Sequence, residues 1–152
     1  MMILACLIGI VAGLRAMTPV AAVSWAAYLG RLPLQGTSLS FLGATITPYV
    51  ATVLALGELV TDKLPTTPSR KMAMPFGARI LTGGLCGAAV VAPSGAMLIG
   101  LLLGAVGAVI GTFGGAEMRA WLAQAFGKDL PAALLEDVIA IGGAILILSR
   151  FA

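Results

Sequence analysis

Histidine is absent from this 152-residue chain, and charged residues make up only 10% of it. A site that needs imidazole, as a metal ligand or as a catalytic base, is therefore excluded. The two cysteines, Cys6 and Cys86, stand alone in apolar runs, so we expect them to be packing residues. Soluble domains carry about 25% charged residues, so this chain has too few charged residues to form the polar surface of a soluble domain.

Hydrophobic residues fill most of the chain. They make up 60% of it, and the mean hydropathy of +1.08 reflects several apolar segments. A transmembrane helix needs about 20 predominantly apolar residues, and a chain of this length can hold a handful of them. We predict an all-α, polytopic transmembrane helical bundle, a single integral membrane domain over residues 1–152, with the lipid bilayer as a partner.

Apolar runs between turn-rich segments predict about five spans. The first span, residues 2–30, is broken, because Arg15, Thr18 and Pro19 lie inside it and proline removes a backbone donor. The other spans are predicted at 41–60, with an interruption at Thr47-Pro48, and at 76–91, 96–116 and 131–150. The segment 62–76 is rich in Pro, Thr and Ser and is the clearest linker.

Nine Lys and Arg residues give the chain a net charge of +3. They are scattered, without a basic stripe or an aromatic platform, so we expect no nucleic-acid partner. Most of them fall on one side of the predicted bundle, which the positive-inside rule makes cytoplasmic together with the amino terminus. These residues are Lys63, Arg70, Lys71, Arg79, Arg119 and Lys128.

A short motif occurs twice. Residues 13–18, GLRAMT, and residues 77–82, GARILT, share the pattern G-x-R-x-[ML]-T. Each copy opens a span rich in Ala and Gly, and a second span follows that starts with Leu-Gly-Ala and ends with a glutamate. The pattern predicts two repeat halves, 13–62 and 77–126, related by an axis along the membrane normal and followed by a final span at 131–150.

Small residues recur at intervals of four in the fourth span, where they let helix backbones approach closely. We predict a helix-packing role for Gly100, Gly104, Gly107, Gly111 and Gly115. These faces could pack within one chain, join two copies in a homodimer, or line a narrow pathway.

Ionisable residues near membrane depth are the candidate functional residues. Each costs about 2.5–3.5 kcal/mol at the centre of a membrane helix unless it finds a partner or water. Glu58 and Asp62 lie one helical turn apart, and either arginine of the repeat could neutralise them through its planar guanidinium. The predicted pathway residues are Arg15, Thr18, Glu58, Asp62, Arg79, Glu136 and Asp137. A network of ion pairs that pins the bundle is the alternative.

Three segments carry a resemblance to a known family. They are residues 13–19, GLRAMTP, residues 57–65, GELVTDKLP, and residues 133–143, ALLEDVIAIGG. With these motifs the chain resembles a bacterial family of small membrane proteins that is catalogued as a domain of unknown function. The resemblance implies a short multi-spanning protein of the bacterial inner membrane and carries no substrate or catalytic residue.

Three hypotheses of function remain open. The leading one is a small transporter or channel, active as a homodimer, for a small polar solute or ion. The second is an assembly protein that stabilises a larger membrane complex through its glycine faces, with its charges mutually neutralised. The third is a membrane enzyme that acts on lipid, with Glu58 and Asp62 as acid, base or metal ligands. The leading hypothesis includes no catalytic residue, cofactor or metal.

Overall fold

The computed structural model describes residues 1–64 and 71–151. In these two ranges the chain forms six α-helices and short 3-10 turns, and no strand. The helices are α1 Met2–Leu14, α2 Met17–Tyr28, α3 Thr47–Thr61, α4 Ala73–Val91, α5 Met97–Phe126 and α6 Asp129–Leu148. The all-helical prediction is confirmed. Residues 65–70 of the predicted linker, with Arg70, lie outside the described residues.

Three of the described helices are long and apolar enough to cross a membrane. With the turns that extend them, they cover Ala73–Ser94, Met97–Phe126 and Asp129–Phe151. The helices α1 and α3 are apolar but have only 13 and 15 residues. The chain is therefore a helical membrane protein, with three full-length helices and shorter ones in its described part where the sequence predicts about five spans.

The first apolar segment is broken at Arg15. This residue has extended backbone angles, φ −140° and ψ 114°, which end α1, and α2 begins two residues later. Pro19 stands in the first turn of α2, where its missing N–H removes no hydrogen bond within the helix. Pro48 stands in the first turn of α3. The interruption predicted at Thr47-Pro48 is therefore a helix start and not a break within a span.

Close backbone contacts fix the directions of α1, α4 and α5. Gly9 lies against Gly104, and Gly13 lies against Gly111, so α1 runs parallel to α5. The helix α4 is joined to α5 by a tight turn in which Gly95 has a φ of 72°, and it runs antiparallel to α5. These three helices form the tightly packed part of the bundle.

The helix α2 turns back into the half of the bundle from which α1 comes. Its residues Val23 and Ala27 share a hydrophobic cluster with residues 88–91 of α4 and with the carboxyl-terminal half of α6. The loop after α2 adds four buried side chains to this cluster, Leu32, Leu34, Leu39 and Leu42. The helices α1 and α2 thus form a helical hairpin with Arg15 at its turn.

The amino terminus lies at the end of the bundle where α5 begins, because α1 and α5 are parallel. Lys63, Lys71 and Lys128 lie toward the opposite end, where α3 and α5 finish and α4 and α6 begin. The inference that the amino terminus shares a side with these basic residues is therefore wrong. Its physical reason is length, since 13 helical residues cover about 20 Å and the hydrocarbon core is about 30 Å thick.

Candidate functional site: a buried charge cluster

Charged side chains meet where α1 ends, α2 begins and α3 ends. Among the described residues, the charge cluster consists of Arg15, Glu58, Asp62, Lys63, Arg79, Arg119, Glu136 and Asp137. Arg79 stands six residues, or about 9 Å, inside α4. Arg119 and Glu136 stand seven residues, or about 10 Å, from the neighbouring ends of α5 and α6. The charge cluster is therefore a layer inside the bundle.

Arg15 is the centre of the charge cluster and is completely buried. Its Nε donates a hydrogen bond to Asp137 Oδ1 at 2.8 Å, and its Nη1 donates to Asp62 Oδ2. Its Nη2 lies 3.7 Å from Glu136 Oε2. A guanidinium presents several donors in one rigid plane and remains charged when buried, so one side chain joins carboxylates from α3 and α6.

Asp62 joins Arg15 to a second arginine. Arg79 Nη2 lies 3.5 Å from Asp62 Oδ2 and 3.7 Å from Glu58 Oε1. Arg15 and Arg79 are the arginines that the predicted repeat aligns, and both contact carboxylates at the end of α3. The repeat itself remains a prediction, because Arg15 precedes α2 whereas Arg79 lies six residues inside α4.

Glu58 caps the amino terminus of α2. The Ala16 N–H donates to Glu58 Oε1 and the Met17 N–H donates to Glu58 Oε2, both at 2.8 Å. The first N–H groups of a helix lack partners within it and carry the positive end of the helix dipole, so a carboxylate is stabilised there. The residue before α2 is Ala16, whose methyl side chain cannot cap, so α3 supplies the cap.

Exposure rises from the centre of the charge cluster toward the end of the bundle. The Glu136 side chain is 0% exposed, that of Arg119 is 15% exposed, and that of Asp129 is 58% exposed. Arg119 Nη1 lies 3.6 Å from Glu136 Oε2, and its Nη2 donates to Asp129 Oδ2 at 2.5 Å. Lys63 Nζ, also partly exposed, donates to Asp137 Oδ2 at 2.5 Å. A continuous chain of charges connects the surface to the interior.

Opposite charges are paired throughout the described charge cluster. Its four basic and four acidic side chains each lie within 4.0 Å of an opposite charge. An unpaired ion in a low-dielectric interior costs several kcal/mol, so this pairing is what allows so many charges inside the bundle. In the part of the chain that the structure describes, no three Asp, Glu or Cys side chains group as a metal site requires. The arrangement can exchange ionic partners or bind an ion that replaces one of its members.

Comparison with known proteins identifies the family. A family model described as a domain of unknown function, DUF4126, matches residues 2–150. The chain belongs to the DUF4126 family. The match includes every member of the charge cluster and confirms the expectation of a family catalogued as a domain of unknown function. No curated protein and no solved structure matches the chain.

Thr18 of this DUF4126 chain lies in the first turn of α2. It is buried, and its hydroxyl has no hydrogen-bond partner in the described ranges. The charge cluster also contains Lys63 and Arg119, which sequence reasoning treated only as signals of membrane orientation. The available signal for Arg119 is its position seven residues inside an apolar helix, where a charge needs a partner. Lys63 stands at the end of α3, and nothing in its local sequence marks it as a contact of Asp137.

The predicted packing glycines of α5 contact two helices of the same chain. Gly100 and Gly104 lie against the backbone of α4, and Gly107 and Gly111 lie against the backbone of α1. Gly115 is buried further along the same helix. In this chain α1 and α4 therefore cover the faces of α5 that carry Gly100, Gly104, Gly107 and Gly111.

Proposed function

We propose that this DUF4126 chain is a small transporter or channel of the bacterial inner membrane, in which an ion or small polar solute passes the charge cluster. The observation that carries the proposal is the gradient of exposure, from Asp129 at the surface to the fully buried Glu136 and Arg15. A bundle held by packing alone does not need eight charges, each costly at membrane depth. The pathway residues are those predicted from the sequence, joined by Lys63 and Arg119.

Helix ends inside the bundle support the same function. The helix α1 ends, α2 begins and α3 ends at the charge cluster. Transporters place such half-helix ends at their ion and substrate sites, because the free N–H and C=O groups can hold charge there. Toward the other end of the bundle, Ile8, Leu32 and Leu34 are at most 2% exposed and form an apolar seal. Side-chain exposure that rises toward one end of the bundle, with an apolar seal toward the other, fits one state of an alternating-access cycle.

A membrane topology follows from the helix directions. We propose that α3, α4, α5 and α6 each cross the membrane and that the hairpin of α1 and α2 enters from the outer side and returns. The 15 residues of α3 cover about 22 Å, so this helix can cross without tilt where the bilayer is locally thinned. Such thinning has a modest free-energy cost. This topology puts Lys63, Lys71 and Lys128 in the cytoplasm, in agreement with the positive-inside rule. A homodimer remains a prediction.

The assembly hypothesis is the second candidate function. The observation that favours it is the complete pairing of the charge cluster, since an ion-pair network that only fixes the bundle looks the same at rest. The two functions predict different results when a cation of the charge cluster and the anion that it contacts are removed together. A structural network tolerates the joint loss of a cation and its anion, whereas a pathway loses the groups that the solute contacts.

The test uses purified full-length protein in sealed lipid vesicles. The variant Arg15→Met with Asp137→Asn removes one positive and one negative charge that contact each other. We expect it to fold, with a melting temperature near that of the wild type, and to lose at least about tenfold of the flux, which corresponds to about 1.4 kcal/mol. The matched control, Lys71→Met with Glu117→Gln, removes an exposed pair at 3.1 Å and should leave flux unchanged.

The panel for this test contains a monovalent cation, a monovalent anion and a neutral polyol. Flux of at least one of them through wild-type vesicles supports the proposal. Wild-type vesicles that are as tight as empty ones to the whole panel, or a double variant that conducts like the wild type, contradict it and leave the assembly role.

A further inference from the structure

We infer that the amino terminus of α2 is a binding site for a small monocarboxylate and that Glu58 occupies this site as an internal substitute in the present state. The inference rests on the proposed function and names its substrate class. Glu58 uses both carboxylate oxygens on adjacent backbone donors, the N–H groups of Ala16 and Met17, at 2.8 Å each. Arg79 Nη2 adds a positive charge 3.7 Å from Oε1. Two backbone donors and a helix dipole form an anion site.

Thr18 is a second and independent observation. It follows Met17 in the same first turn of α2, it is 8% exposed, and its hydroxyl oxygen has no hydrogen-bond partner among the described residues. A buried hydroxyl without a partner is costly, and such groups in native structures mark positions where something else binds. Glu58 does not use this donor. The Cα–Cβ bonds of a helix tilt toward its amino terminus, so Thr18 projects from the first turn toward the helix end that Glu58 caps.

The helix that carries Glu58 is the one most easily withdrawn. In the described structure α3 packs chiefly on α2 and on the 3-10 helix Ser40–Gly43. Its buried residues are small, namely Pro48, Ala51 and Ala55. Its large side chains, such as Val53 and Val60, are exposed by 68% and 64%. A shift of α3 away from α2 breaks the ring contact of Trp25 with Tyr49 and the hydrogen bond from Trp25 Nε1 to Thr52 Oγ1, and it leaves the close packing of α1, α4 and α5 intact.

The geometry of the Glu58 contact defines the ligand. Glu58 places a negative charge at the amino terminus of α2 and 3.7 Å from Arg79 Nη2, so the ligand that replaces it is an anion. Two oxygens must also reach N–H groups of adjacent residues, which a carboxylate does. The Glu58 side chain beyond Cα has the atoms of propionate, so the ligand is a short monocarboxylate.

The variant Glu58→Ala with acetate as the probe tests the site. The substitution removes a methylene and a carboxylate, which is the volume that acetate supplies. We expect the melting temperature of the purified variant to fall by several degrees and to recover most of that loss in sodium acetate, saturably, relative to sodium chloride at equal ionic strength. Glu117→Ala is the matched control, because Glu117 is 77% exposed, and neither it nor the wild type should show an acetate-specific shift.

Equal effects of acetate and chloride on Glu58→Ala would overturn the inference. Should that variant not fold, Glu58→Gln replaces it. Glutamine keeps the shape but places an amide N–H₂ against one backbone donor, so acetate should displace it and raise its melting temperature, and an unchanged melting temperature counts against the site.

A flux experiment separates this inference from the proposed function. Wild-type vesicles are tested with pyruvate at neutral pH, where little neutral acid leaks through lipid, and with methylammonium. Pyruvate flux supports both proposals. Methylammonium flux without pyruvate flux overturns the monocarboxylate inference and leaves the transporter. If acetate restores the melting temperature of Glu58→Ala but neither probe crosses wild-type vesicles, the transport function is overturned and a carboxylate-binding site remains.

Discussion

Two regions of the bundle are held together in opposite ways. The glycine seam, where α1 and α4 pack on α5, has backbone against backbone, and its members are Gly9, Gly13, Gly83, Gly87, Gly100, Gly104, Gly107 and Gly111. The charge cluster is built from long side chains with charged ends. Close packing fixes one arrangement, because any shift produces a clash or a void. Ionic groups can exchange partners at similar free energy, so the seam is suited to a fixed frame and the charge cluster to a moving part.

Loss of the central arginine should have the largest effect. Arg15→Met leaves Asp62, Glu136 and Asp137 with one cation fewer among them, inside the bundle. Removal of one partner from a buried ion network costs about 3–5 kcal/mol. The free energy of unfolding in mixed micelles measures it. Arg31→Met, at an exposed arginine in the loop after α2, is the control and should change that free energy little.

A small change in the free energy of unfolding of Arg15→Met would contradict the contrast between the glycine seam and a buried charge cluster. It would mean that water reaches the carboxylates and screens them, so that the charge cluster behaves as a surface network. Proton uptake by the variant, measured as a pH dependence absent from the wild type, would identify a protonated carboxylate as the compensating change.

The glycine seam should respond to one methyl group. In Gly104→Ala the added Cβ falls on the carbonyl oxygen of Gly83, a backbone atom that cannot rotate away. Overpacking of this kind costs about 1–3 kcal/mol, and α4 should separate slightly from α5. Gly114→Ala, on the same helix but with open space around its Cβ, is the matched control and should be neutral or stabilising by up to about 1 kcal/mol. Equal losses in the two variants would show that helix propensity, and not the seam, is measured.

The sequence predicts the seam and the membership of the charge cluster better than it predicts their arrangement. A spacing of four residues marks the seam, and a charge inside an apolar run, such as Arg15 or Glu136, marks a group that needs a partner. The direction of α1 and the return of α2 leave no local mark, because a broken span and a re-entrant hairpin have the same apolar pattern. The contact of Lys63 with Asp137 depends on how α3 lies against α6, which is a property of the whole bundle.

Thr112 connects the two regions and should show a smaller effect. This fully buried hydroxyl donates to the Ala108 carbonyl oxygen at 2.8 Å and lies 3.3 Å from the carbonyl oxygen of Gly13, at the end of the seam nearest Arg15. Thr112→Val keeps the shape and removes the hydrogen bonds. Such bonds in membrane bundles average about 0.6 kcal/mol, so we expect a loss of that order. Thr112→Ser, which keeps the hydroxyl, separates the hydrogen bond from the packing of the methyl group; a larger loss in the serine variant would assign the effect to packing.

The smallest effect should come from Glu117, which the predicted repeat aligns with Glu58. Glu117 Oε1 lies 3.1 Å from Lys71 Nζ, but its side chain is 77% exposed, and water and salt screen the pair. Glu117→Gln should therefore change the free energy of unfolding by less than about 0.5 kcal/mol, and less still at high salt. Glu58→Gln, at the capping position on α2, should cost more and depend little on salt. A similar, salt-dependent loss in both variants would mean that Glu58 in the pair α2–α3 and Glu117 in the pair α4–α5 have the same role. Unequal losses would show that only Glu58, in the pair with the shorter helices, stabilises a helix end.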